Sequence, residues 1–218
     1  MNELRILDVL PELGKINALI KNLMKQMGTD DPNEAIRRFN AGEWVVSQRT
    51  CRWREENGVI RFTVTSDGTT GPQWIKSLKN QGLIYEWARD VLNSSDFVPT
   101  NGVRYEVAVL KGILFPDEDR VTKKIRAEAS RRNLAKAHPE IACLAQRTFT
   151  DKDLEEMGLS WIVAMHDPIK DAGGDPRLLS VDRRDSGCSL DAGYDDPYGR
   201  WCRGRGFAFV VSQVSLGS

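Results

Sequence analysis

Phe207-Ala208-Phe209-Val210-Val211-Ser212-Gln213-Val214 reads as a strand near the end of the chain. Phe207, Phe209 and Val211 fall on one face and Ala208 and Val210 on the other. Apolar character on both faces predicts a central strand, so the chain closes inside a sheet. Its neighbours must come from earlier segments. Val103 to Leu110, with Tyr105, Val107 and Val109 facing one way, is the clearest, and Trp161 to His166 is a second, buried-looking strand. Between them Pro116 and Asp117 open a helix carrying Val121, Ile125 and Ala129, which ends before Arg131-Arg132-Asn133. Thr150 caps a short helix over Asp151 to Met157, with Asp153 three residues on and Gly158 as its stop. From Asp167 to Gly206 Asp, Gly, Arg and Ser dominate with few apolar anchors, which predicts a long loop-rich stretch. The order is that of an α+β fold.

The first half carries its own signals. Val9, Leu13, Ile16, Ile20, Leu23 and Met27 recur at helical spacing, so a helix is expected from Pro11 to Gly28. It either packs on its own domain or forms a short coiled coil that makes a homo-oligomer. Trp44 to Trp53 and Val59 to Thr65 flank Asn57-Gly58, a strong hairpin signal. Gly71-Pro72 opens a helix through about Lys79, and Gly82 separates it from another over Tyr85 to Leu92. The polar run Asn93 to Gly102 is the expected boundary between an N-terminal α+β domain, 1–101, and a second domain, 102–218.

Bulk composition narrows the function classes. The chain has 218 residues and a formal net charge of zero. A general nucleic-acid or anionic-membrane binder needs a positive field, so neither partner is expected. No stretch approaches the ~20 apolar residues of a membrane helix, so no membrane insertion is expected. Met1 to Leu10 has no apolar core, which predicts no secretory signal and synthesis in the cytoplasm. Cys51, Cys143, Cys188 and Cys202 have no metal-ligand spacing and read as reduced thiols, with Cys188–Cys202 pairing as the alternative.

The informative oddity is compositional. Up to Lys170, Lys and Glu make up roughly one residue in seven, near ordinary usage. Beyond it neither occurs, although Asp and Arg stay abundant. Between Leu178 and Val211 there is also no Gln and no Met, and Trp201 is the only Trp. An AAC or AAT codon randomised at its adenines reaches every amino acid except Lys, Glu, Gln, Met and Trp. Ser180, Asp182, Arg184, Asp185, Ser186, Ser189, Asp191, Gly193, Tyr198, Gly199, Cys202, Gly204 and Arg205 all belong to the reachable set. The segment's chemistry looks set by a mutational mechanism, the plainer alternative being a Gly- and Asp-rich surface loop.

Leu178-Leu179-Ser180-Val181-Asp182-Arg183, followed by Trp201-Cys202-Arg203-Gly204-Arg205-Gly206-Phe207-Ala208-Phe209-Val210, resembles the variable region of diversity-generating retroelement target proteins. The similarity extends through Val103 to Gly112, Glu140 to Leu144 and Met157 to Trp161. Residues 1–101 resemble, more weakly, a domain found ahead of such regions. The resemblance implies a C-type-lectin-like domain related to the formylglycine-generating enzyme group, with a variable region at about 178–211 on one exposed, ligand-binding face. It further implies a receptor for protein or glycan ligands, carried on a virion or a cell surface, and no enzyme. Trp201, Gly206, Phe207 and Phe209 would then be scaffold, with Leu178, Val181 and Leu190 as anchors. Tyr194 and Tyr198 would supply contact area, and Asp182, Arg184, Asp185, Asp191 and Arg205 charge complementarity. The chain lacks Glu-Pro-Asn, Gln-Pro-Asp and Trp-Asn-Asp, so calcium-dependent sugar binding does not carry over, and no metal or other cofactor is expected. The paired cysteines of the formylglycine-generating enzymes are not recognisable either.

Two other readings stand beside this one. His166 with Asp167 would be a base and its orienter in a small enzyme or regulatory module, against a capping or core role for the same histidine. Lys123, Lys124, Arg126, Arg131 and Arg132 would make a mobile-element protein that binds nucleic acid, against a solvated helix face. The Asp-rich run Asp191 to Asp196 lacks the alternating order of a calcium loop.

Overall fold

The computed structural model describes Lys21, Met24, residues 28–41, 52–184, 187–196 and 198–211. Two compact units emerge, Met1–Thr50 and Cys51–Ser218. In the first, helix α1 spans Pro32–Asn40. The helix expected over Pro11 to Gly28, and the oligomer reading tied to it, lie outside the described residues except at Lys21, Met24 and Gly28.

The second unit opens with a hairpin. Strand β1 (Trp53–Glu56) pairs antiparallel with β2 (Val59–Asp67), and Glu56 faces Val59 across Asn57-Gly58. Both turn residues have positive φ, 51° and 74°, as a two-residue turn of this hand requires. The expected first arm, Trp44 to Trp53, lies outside the described residues up to position 51. The paired segment is the charged run just before the turn. Helices α2 (Gly71–Lys79) and α3 (Glu86–Asn93) follow. A capping box between Thr70 and Gln73 starts α2, Gln73 Oε1 accepting from Thr70 N at 2.8 Å.

The expected boundary at 101/102 is overturned. β2 pairs along its length with β3 (Asn101–Lys111), from Val59↔Leu110 to Asp67↔Asn101. Hairpin, α2 and α3 therefore belong to the same unit as everything after them, and the polar run Asn93 to Gly102 is a connection inside it.

β3 leads through two short 3₁₀ turns to α4 (Thr122–Arg131), β4 (Leu134–Ala135), α5 (Glu140–Thr148), α6 (Asp151–Glu156) and β5 (Trp161–Ala164). The expected loop-rich stretch then proves to hold three strands, β6 (Ile169–Lys170), β7 (Pro176–Asp182) and β8 (Ser189–Tyr194), before β9 (Arg205–Val211). Among the described residues the strands form one mixed nine-stranded sheet, β1-β2-β3-β9-β5-β7-β6, with β4 on β9 and β8 on β7. β9 lies between β3, antiparallel, and β5, parallel, which is the central placement expected from its two apolar faces. The fold is α+β.

Each face of the sheet has its own core. On one, Ile60, Phe62, Val107, Val109, Ile162, Leu179, Val181 and Leu190 pack under α2, α3, α5 and α6. On the other, Leu110, Val163, Leu178, Phe207 and Phe209 pack against Ile125 and Ala129 of α4, Phe115 and Trp201. Fully burying a side chain such as Phe207 contributes roughly 1.5–3 kcal/mol. Gly206 sits where β9 crosses between the two. A Cβ there would lie 2.5 Å from Val109 Cγ1 and 2.9 Å from Leu159 Cδ1, so only glycine lets the strand pass.

Candidate functional site

Strand alternation builds the site. Along β7, Leu179 and Val181 point into the helix-covered core, which leaves Ser180 and Asp182 on the opposite face. Register then places Ser180 opposite Asp191 and Asp182 opposite Ser189 on β8, with Gly193 opposite Leu178. Across β5, Trp161 is the partner of both Asp182 and Arg205. Ser180, Asp182, Ser189, Asp191, Gly193 and Arg205 thus share one face with Trp161. They share that face with the second core, to which Leu178, Phe207 and Phe209 belong.

The cleft over this face has a volume of about 310 Å³ and is lined by Trp87, Trp161, Arg177, Asp191, Tyr194, Asp196, Arg200, Trp201 and Arg205, with Gly193 and Gly199. Two arginines are stacked in it. Arg205 lies over the rings of Trp161, 4.4 Å from the centroid, and Trp201, 4.9 Å. Arg177 lies over Trp87 at 4.8 Å and Tyr194 at 5.7 Å. Such contacts hold a guanidinium flat and leave its edge free to donate. Arg177 spends that edge on Asp171, donating from Nε at 2.7 Å. Arg205 has no acceptor among the described residues, and burial depresses its pKa.

Four candidate positions are not the exposed contacts that the resemblance implies. Ser180, Asp182, Ser189 and Asp191 are buried. The outer edge of β8 is closed by residues 83–85, Leu190 N donating to Leu83 O at 2.8 Å and Tyr85 N to Leu190 O at 3.0 Å. Arg184 then folds back, donating from Nε to Asp182 with its guanidinium over the Tyr85 ring at 5.1 Å. Burial raises the carboxyl pKa of Asp182 and of Asp191, opposed at Asp182 by Arg184 and at Asp191 by the Ala192 N–H. Ser180 Oγ is buried with no partner among the described residues.

The other candidates scatter. Tyr198, 91% exposed, and Arg184 stand in solvent. Cys202 is an exposed free thiol and Cys188 a buried one, so the two do not pair. Gly204 lines a separate groove with Glu55 and Lys111. A Cβ on Gly199 would meet the Asp196 side chain at 2.8 Å, and one on Gly193 would touch the Trp201 ring at 3.3 Å, so these two positions accept substitution only if a neighbour moves. Asp185 and Ser186 lie outside the described residues. Trp201, Phe207 and Phe209 are buried, Trp201 donating from Nε1 to Thr122 Oγ1 at 3.0 Å and meeting Phe207 edge-on at 6.0 Å.

Trp87, Trp161, Arg177 and Arg200 of the cleft escaped the sequence reading. Trp87 comes from α3, where Ala88, Val91 and Leu92 make the buried stripe. Lying off that stripe and 49% exposed, it carried the one readable signal, an aromatic on a helix's polar side. Trp161 reaches the cleft through sheet register, and Arg177 through its stacking on Trp87 and Tyr194.

The remaining candidates have structural partners. His166 is buried, its Nδ1 facing Asp167 O at 2.6 Å and its Nε2 accepting from Leu179 N at 2.9 Å, and burial lowers its pKa to about 4. Asp167 gives its carboxylate to Lys136 at 2.6 Å, so the two are not base and orienter. On α4, Arg131 and Arg132 pair with Glu128, Lys124 with Asp119, and Arg126 with His166 O and Asp195. Asp195 also accepts from Thr122 Oγ1, and among the described residues no group of three or more His, Cys, Asp or Glu is placed to hold a metal ion. No helix among them is long and apolar enough to cross a membrane. No protein-family model, curated protein or solved structure matches the chain.

Proposed function

We propose that this chain is a ligand-binding protein of the diversity-generating retroelement type, carrying a C-type-lectin-like domain whose binding surface is the cleft on the β5-β7-β8-β9 face. The observation that carries the reading is the alternation on β7 and β8. The candidate variable positions Ser180, Asp182, Ser189, Asp191 and Gly193 share one face, and Leu179, Val181, Leu190 and Ala192 fill the core behind them. Exchange on that face leaves the helix-covered core in place, and at buried Ser180, Asp182, Ser189 and Asp191 it goes with changes in the groups packed on them. Exposed Trp87, Tyr194 and Tyr198 add the aromatic and hydroxyl area typical of adaptable binding surfaces.

Sequencing copies of the gene from related genomes tests this. Differences should concentrate at Ser180, Asp182, Arg184, Asp191, Tyr198 and Arg205, never as Lys, Glu, Gln, Met or Trp. Changes spread evenly over β3, α4 and β7 alike would end the proposal.

A further inference from the structure

Independently of the cleft, we infer that the other end of the sheet, over β1, β2 and β3, binds single-stranded nucleic acid, its phosphates held by Arg54, Arg61 and Arg104 and its bases by Trp53 and Glu106. Strand register builds this patch. Arg54 lies directly opposite Arg61 on the hairpin, and across β2 and β3 Thr63 faces Glu106 and Thr65 faces Arg104. Arg61 is also the partner of Ala108, which belongs to the core under α4, so all of these side chains are on that face. Beyond Ala108 the cover stops, and Thr63, Thr65, Arg104 and Glu106 are exposed. An open groove of about 590 Å³ runs there, lined by Arg52, Arg54, Arg61, Arg104, Glu106 and Trp53 among others.

Three features decide the ligand's chemistry. The first is uncompensated charge. Like charges directly opposite on paired strands are destabilising, yet Arg54 and Arg61 stand in that relation. Neither they nor Arg104 have an ion pair or hydrogen bond from the guanidinium among the described residues. Only Arg52 is matched, by Asp153 at 3.2 Å and by the Thr148 carbonyl. The free groups therefore face a single lining carboxylate, Glu106. All are Arg, whose planar fork grips paired phosphate oxygens. The second is spacing. Arg104 sits opposite Thr65, so it lies ~14 Å along the sheet from Arg61 at ~3.4 Å per residue. One small anion cannot bridge that distance, whereas a strand with a phosphate at every nucleotide meets both ends.

The third is what stands beside the charge. Trp53 is half-buried, leaving part of an indole on which a base can stack. Glu106 repels an acidic peptide or a sulfated glycan, but it accepts from the amino group of cytosine. A formal net charge of zero removes a long-range field and leaves a contact patch intact, since charges are felt only across about 8–10 Å at ordinary salt.

Fluorescence anisotropy on the full chain tests this, with labelled oligo-dC and oligo-dT and with oligoglutamate and chondroitin sulfate as competitors. Oligo-dC should bind with a Kd on the order of 10⁻⁵–10⁻⁴ M at about 50 mM salt. Its log K should fall with log salt at a slope of about −2, for about three phosphates. Oligo-dT, whose base has no amino group, should bind several-fold more weakly, and Glu106→Ala should erase that difference while tightening both. Arg54→Ala and Arg104→Ala, at exposed strand positions, should each weaken oligo-dC about three- to tenfold, lower the slope by about 0.7 and leave the melting temperature no lower. Binding should quench tryptophan fluorescence less in Trp53→Phe than in the wild type. Oligo-dC that fails to bind, binds without salt dependence or is unaffected by both Arg variants overturns the inference. So does equal binding of oligo-dT, or tighter binding of oligoglutamate or chondroitin sulfate.

Discussion

Acidification should unlock the strand under the cleft through His166. The imidazole is buried, and Leu179 N donates to its Nε2 at 2.9 Å, so the neutral ring holds β7 in place. Burial lowers its pKa from 6.5 to about 4. In the unfolded chain the ring takes up a proton once the pH falls below about 6.5, whereas in the folded protein it resists until about 4. Its contribution is therefore complete above pH 6.5, declines as the pH falls, and reaches a loss of about 3 kcal/mol near pH 4, a large part of an ordinary domain's stability. Burial lowers the pKa of His138 as well, and the raised carboxyls of Asp182 and Asp191 act with the opposite sign, so the wild-type slope is a sum. The difference from His166→Gln isolates one group. Gln keeps an acceptor for Leu179 N and cannot titrate. Urea denaturation followed by circular dichroism, from pH 7 to 4.5, should show the wild type losing its advantage over the variant steadily with acid. A difference that stays constant across that range refutes the buried, neutral histidine and returns His166 to the candidates for proton transfer.

The other predictions concern packing and thiols. Gly206→Ala should destabilise by roughly 1–3 kcal/mol by thermal melting, because the new methyl would lie 2.5 Å from Val109 and 2.9 Å from Leu159, both in the core. A stability equal to wild type would mean that β9 does not cross where the structure puts it. Mild alkylation at neutral pH, read by peptide mass spectrometry, should label exposed Cys202 well before buried Cys143 and Cys188. The Cys188 thiol is pushed up to about 12 by burial and is barely ionised. Labelling of Cys188 at the rate of Cys202 would contradict the packing of β8.

Local chemistry made some elements legible. Asn57-Gly58 marks its hairpin because few other residues adopt positive φ twice running, and Thr70 with Gly71-Pro72 marks a helix start whose capping box the structure contains. What resisted reading was set at a distance. Ser180, Asp182, Ser189, Asp191 and Gly193 are poor strand formers, and β7 and β8 exist through pairing with each other and with β5. Helix α5 gave no periodic stripe because Ile141, Ala142, Cys143, Leu144 and Ala145 are buried all round. The polar run Asn93 to Gly102 looked like a linker, since nothing within it reports that β2 and β3 pair across it.

The same division runs through the site. The missing Lys and Glu drew attention to the segment that supplies most of one cleft wall, yet composition has no geometry. Where each residue points depends on a period of two, and on Arg177 and Trp87 arriving from elements with ordinary composition. Burial of Asp182 and Asp191 has a consequence for diversification. Asp182 is paired with exposed Arg184, and both Asp182 and Asp191 lie close to half-buried Arg205, so an apolar residue in place of either leaves Arg205 with less compensating charge. Substitutions at 182 and 191 should therefore travel with substitutions at 184 and 205, as coupled sets and not as independent draws. Tyr198, almost wholly in solvent, is free of that constraint and should vary alone.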